Sequence, residues 1–209
     1  MKEYPRLLKP GLAQQVYDGT KTQTRAPWVG VPSKFGRGAW AETNGVLWAL
    51  RVAHEDDTYP IVGKRGPFGK IGDRIWIRET WRPVMESWTS FIEFAGGIGT
   101  TDNVGRELYR PLTKIALRFS GANRERQSEA WHPSIHMPRW AARSVCEIGE
   151  VRVQLVDDIT LEDAQAEGFA SIADFLAWWH KQYPGVLWCF AYTFRRIKEA
   201  PVQTSAEAF

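Results

Sequence analysis

Residues 72–81, GDRIWIRETW, restrict the fold more than any other stretch of this chain. A Gly-Asp turn signal followed by alternating apolar and polar residues predicts a strand running to Trp81. Successive strand side chains point to opposite faces, so Ile75, Ile77, Glu79 and Trp81 share one face. Arg74, Trp76, Arg78, Thr80 and Arg82 share the other. Glu79 thus falls in an apolar row. An isolated carboxylate is too costly to bury there, so it must be paired, protonated or placed at the mouth of a cleft.

Several other stretches read as strands. They are residues 45–53 (GVLWALRVA), 113–121 (TKIALRFSG) and 186–197 (VLWCFAYTFRRI), with two more strands after the Pro-bounded loop around His132. Short helices punctuate them. Residues 9–19 carry Pro10 near the start, put Leu12, Val16 and Tyr17 on one side and stop at Gly19. Thr160 is placed to cap a second helix, with Asp163 three residues on and Gly168 as its stop. Ser171 caps a third, with Phe175, Leu176 and Trp179 as its buried stripe. The predicted class is α+β, with a small β-barrel flanked by short helices.

A chain of 209 residues that is 44% apolar can bury one sizeable core. The expected organisation is a single domain over residues 1–198, a variable loop insertion at about 83–110, and a loose tail at 199–209. No apolar run reaches the roughly 20 residues of a membrane helix, and MKEYPRLLKPG lacks a signal-peptide core. A soluble cytoplasmic protein with no membrane partner is expected. Cys146 and Cys189 stand apart in apolar runs and read as core thiols. His132 and His136 have metal-like spacing, but Pro133 and Pro138 exclude a helix there and no cysteine or carboxylate cluster joins them. Neither a metal nor a cofactor is expected.

The net charge of +3 permits an anionic partner without demanding one, and eleven tryptophans beside many arginines suit base stacking and phosphate contact. Residues 16–27, VYDGTKTQTRAP, gather Lys21, Gln23 and Arg25 in alternation with Thr20, Thr22 and Thr24. Read alone, this is a solvated edge strand, a phosphate grip or part of a catalytic site.

YDGTKTQTR, GDRIWIRETW, PSIHMPRWAAR, and VDDITLEDAQAEGFASIADFLAWW followed by WCFAYTFRRI occur in an order that resembles the ASCH domain family of the PUA-like superfamily. The resemblance is closest to short ASCH-type proteins of bacteriophages and prophages, some of them labelled morphogenetic. It covers residues 10–25 and 70–197. It implies a PUA-like barrel with a ligand cleft, located in the cytoplasm of a bacterial host. The implied partner is RNA, another nucleic acid or a modified nucleoside. Arg25, Trp76, Arg78, Glu79, His136, Arg139 and Trp140 would line the binding surface. Some small members of the family are amidohydrolases that deacetylate N4-acetylcytidine; carried over, their catalytic positions fall on Lys21, Thr24 and Glu167. A role in phage assembly is the further alternative.

The hydrolase alternative carries physical conditions. Lys21 can activate Thr24 only when neutral, and deprotonating an ordinary lysine at pH 7 costs about 4–5 kcal/mol. In a regular strand Lys21 and Thr24 would also point to opposite faces, so catalysis needs a turn or bulge between Gly19 and Thr24.

Overall fold

A computed structural model describes residues 1–31, 39–43, 47–53, 58–60, 64–85, 90–95 and 130–197. The expected strand at 113–121, most of the expected insertion and the tail at 199–209 lie outside these residues, as does the Trp140 side chain. Ten strands are described: β1 (Glu3–Leu7), β2 (Gln23–Pro27), β3 (Ala39–Thr43), β4 (Trp48–Ala53), β5 (Thr58–Pro60), β6 (Arg74–Arg78), β7 (Trp81–Met85), β8 (Ser90–Phe94), β9 (Val145–Leu155) and β10 (Trp188–Ile197). The described α-helices are α1 (Pro10–Asp18), α2 (Leu161–Ala166) and α3 (Ile172–Gln182). The class is α+β. Five strands form a sheet in the order β1-β6-β9-β10-β2, and among the described residues β1 and β2 are its edges. Among the described residues there are also a three-stranded sheet, β3-β4-β5, and the β7-β8 hairpin. No helix among the described residues is long and apolar enough to cross a membrane.

The contacts fall into two compact units. One comprises Met1–Tyr4, Asp18–Ile75 and Cys146–Arg196; the other comprises Pro5–Tyr17, Trp76–Val145 and Ile197–Phe209.

In the first unit, α2 and α3 form where their caps predict. The Thr160 hydroxyl accepts from the Asp163 amide at 3.2 Å and the Ser171 hydroxyl from the Asp174 amide at 3.1 Å, each satisfying a donor that the first helical turn leaves open. Gly168 ends α2 at φ +91°, a left-handed conformation that glycine adopts without steric cost. Phe175 and Trp179 of α3 are buried against Val156, Ile159, Ala164 and Cys189, while Leu176 packs at the margin. On the sheet, β10 pairs antiparallel with β2, setting Thr24 opposite Tyr192 and Arg25 opposite Ala191.

Tyr192 is buried and accepts a hydrogen bond from the Phe68 amide at 3.3 Å. Gly66 lies against it: a Cβ there would meet the Tyr192 hydroxyl oxygen at 2.0 Å. Gly66→Ala is therefore expected to destabilise by about 1–3 kcal/mol. Tyr192→Phe removes the colliding atom and should recover part of that loss in the double variant, read by urea denaturation. Equal losses from Gly66→Ala in the two backgrounds would contradict this packing.

Residues 72–81 depart from one uninterrupted strand. β6 ends at Arg78 and β7 begins at Trp81. Across the break the Glu79 amide donates to the Met137 sulfur at 3.1 Å, and the Thr80 carbonyl accepts from Ala95 at 2.9 Å. The break re-phases the alternation. Trp76 and Trp81, expected on opposite faces, pack in one cluster with Phe94, Met137, Ala141, Ala142 and Val145.

Candidate functional site

Lys21, Gln23 and Arg25 converge on two carboxylates of the α2 region. β2 begins at Gln23, so Gln23 and Arg25 share a face of it. The segment before it is held at Thr22, whose amide donates to the Ala166 carbonyl and whose carbonyl accepts from the Phe194 amide, both at 2.9 Å. Asp163 and Glu167 are four residues apart, the spacing that stacks two side chains on one helical face. Bringing this face against β2 produces the network.

Lys21 Nζ donates to Glu167 Oε2 and to the Glu167 backbone carbonyl, each at 2.7 Å. Arg25 Nη1 reaches Glu167 Oε1 at 3.1 Å and Arg25 Nη2 reaches Asp163 Oδ2 at 2.8 Å. Asp163 Oδ1 accepts from Gln23 Nε2 at 2.8 Å and from Arg152 Nη2 at 3.1 Å. The Gln23 amide oxygen in turn accepts from Arg25 Nη1 at 3.2 Å, and the Arg25 guanidinium sits over the Phe175 ring. Lys21 is 2% exposed and Glu167 3%. Each of the four carboxylate oxygens has a donor, three of them cationic side chains and Oδ1 of Asp163 shared between an amide and a cation.

Burial pushes the Asp163 carboxyl up, but the Gln23 hydrogen bond and the positive charges of Arg25 and Arg152 outweigh it and hold the group below the usual aspartate range. A depressed folded value stabilises above the unfolded value, near 4, and that contribution disappears as pH falls through the folded value. Urea denaturation should accordingly show stability falling between about pH 5 and about pH 3, with a smaller fall for Asp163→Asn. An identical fall in the variant would remove Asp163 from the acid response.

Thr24 is buried but belongs with Tyr192, on the β2 face opposite Gln23 and Arg25. Of the three positions assigned to hydrolysis, Lys21 and Glu167 meet, while Thr24 is placed on the other side of its strand.

The remaining expected site residues lie in the second unit. Glu79 is fully buried and paired with Arg143: Nε donates to Oε1 at 2.8 Å and Nη2 to Oε2 at 2.7 Å. Arg143 Nη2 also reaches the Gln14 amide oxygen at 2.9 Å, and its guanidinium lies over the rings of Tyr17 and Phe94. Of the options open to a carboxylate in an apolar row, pairing is the one realised. Trp76 is buried beneath the Arg78 guanidinium. Arg78 donates to the carbonyls of Ile135 and Met137, using its charge to hold the 130s loop. His136 is exposed at the end of a 3₁₀ turn (Ser134–His136), and Arg139 is half-buried at the start of the next (Arg139–Ala141).

Gln23, Asp163, Arg152 and Arg143 join these networks although sequence alone assigned none of them to a site. Odd-position parity with Lys21 and Arg25 was a signal for Gln23, and the four-residue spacing from Glu167 one for Asp163. Arg143 sits in an irregular segment with no periodic signal.

The chain matches no family model, and comparisons with curated proteins and with solved structures return no match either.

Proposed function

We propose that the chain is an ASCH-type, PUA-like protein that recognises RNA, another nucleic acid or a modified nucleoside, with the Lys21–Glu167 pair at its ligand site. The observation that carries this reading is the 2.7 Å contact between two side chains 146 residues apart in sequence. They are two of the three positions that the resemblance to the ASCH family singles out, and neither strand alternation nor helix capping requires them to meet. Desolvation offsets much of the attraction within a buried ion pair, so such a pair is a weak device for stability alone. The five-stranded sheet and short helices are compatible with the core of a PUA-like barrel.

Deacylation of an N4-acylated cytosine nucleoside is the second reading, and the same contact favours it. It ranks below recognition for two physical reasons. A lysine in an ion pair has no free lone pair with which to act as a base, and Thr24 belongs to the opposite face of β2. Calorimetric titration with cytidine, N4-acetylcytidine and a short RNA, with product analysis by chromatography, separates the readings. Recognition predicts binding of at least one ligand with no turnover, unchanged by Thr24→Val. Release of cytidine and acetate that Thr24→Val abolishes would establish the hydrolase. Absence of both binding and turnover would overturn the proposal and leave assembly as the role.

A further inference from the structure

In the second unit, we infer that Trp131 and Arg82 form a stacking platform for single-stranded nucleic acid. This deepens the recognition reading by naming the partner's form, and it rests on residues separate from the Lys21–Glu167 pair. Trp131 is 45% exposed, an unusual placement for an indole, with the Arg82 guanidinium lying 4.8 Å from its ring centroid. Arg82 is half-buried and Trp131 exposed.

The backbone holds this pair in place. The adjacent residues Trp81 and His132 exchange two main-chain hydrogen bonds, at 3.1 and 2.7 Å, which extends β7 sideways onto the 130s loop. Their rings stack at 5.0 Å. Further along the same loop, Arg78 grips the carbonyls of Ile135 and Met137. Trp131 is therefore presented from a tethered segment, which lowers the entropy lost on binding. Ile135 and His136 are exposed on that segment as well.

An exposed indole beside a guanidinium matches a nucleotide in both of its parts. A base stacks on the ring, and the fixed cation meets the phosphate or adds a cation–π contact. Base faces are available only where bases are unpaired, so a duplex should bind weakly. The net charge of +3 agrees with a polyanionic occupant.

Fluorescence anisotropy with labelled rU12, dT12 and a blunt 12-base-pair duplex tests the inference at several salt concentrations. Either or both single strands should bind more tightly than the duplex, and comparing rU12 with dT12 tells RNA from DNA. Trp131→Ala should weaken single-strand binding about 5- to 150-fold, the range expected for loss of one stacked base, while Trp131→Phe retains most of it. Arg82→Ala should lower the slope of log affinity against log salt by about one, and Trp131→Ala should leave that slope unchanged. Single-strand affinity unaltered by Trp131→Ala in a protein with native circular dichroism would overturn the inference. Equal competition by polyglutamate would also overturn it, since charge without stacking would then suffice. Nucleoside binding at the Lys21–Glu167 pair, titrated in Trp131→Ala, should be unaffected, so the two sites can fail independently.

Discussion

Arg143→Ala is expected to cost about 3–5 kcal/mol of stability, because it leaves the Glu79 carboxylate buried without its cation. Both Glu79 oxygens are held by Arg143, and neither side chain has solvent exposure. The substitution also removes the guanidinium from between the Tyr17 and Phe94 rings. A typical domain has about 5–15 kcal/mol in total, so this one change would remove a large share of the protein's stability. Glu79→Ala should be about as harmful, as it strands the arginine. The double variant Glu79→Leu/Arg143→Met is expected to be more stable than either alanine variant, because no unpaired charge remains in the interior. Urea denaturation of the three proteins tests this. Single-variant losses below about 1 kcal/mol, or a double variant as unstable as the sum of the singles, would show that the pair is not electrostatically coupled.

The Lys21–Glu167 pair should behave asymmetrically. Glu167→Ala removes the carboxylate shared by two cations; Arg25 keeps Asp163 at 2.8 Å, and Lys21 keeps the residue 167 carbonyl but loses its counter-charge. An expected loss of about 3–5 kcal/mol follows from burying that ammonium without a carboxylate. Lys21→Ala leaves Glu167 still bonded to Arg25, so the cost should be lower, at about 1–3 kcal/mol. A double-mutant cycle should then yield a coupling of about 0.5–3 kcal/mol. Equal losses from the two single variants would mean that Arg25 does not compensate Glu167 as its geometry implies.

How much of this was legible in sequence varied by element. The caps of α2 and α3 are local: Thr160 and Ser171 each need only an amide three residues away, so a four-residue window suffices to place them. The apolar run at 186–197 likewise had to be a buried strand. The pairing of Glu79 was forced in kind, since a carboxylate between Ile77 and Trp81 needs a partner, yet its partner was not. Arg143 comes from an irregular segment 64 residues away. Continuity of the strand to Trp81 was overestimated, because alternation carries no information about a break at Glu79-Thr80, where the ladder yields to contacts with Met137 and Ala95.

The sequence by itself determined the local chemistry of this protein: which segments alternate, which helices are capped, and that Lys21, Gln23 and Arg25 share odd positions on one short stretch. Tertiary structure alone decided what those residues meet. Only folding set the α2 face carrying Asp163 and Glu167 against β2, turning a polar segment that reads as a solvated edge into a buried ionic network. Thr24 stays out of that network by the strand alternation already legible in sequence, and the pairing of β2 with β10 decided only that its neighbour there is Tyr192. The physical reason is range. Dihedral preference, alternation and capping act over a few residues, whereas burial and ion pairing depend on surfaces that the chain brings together from far apart.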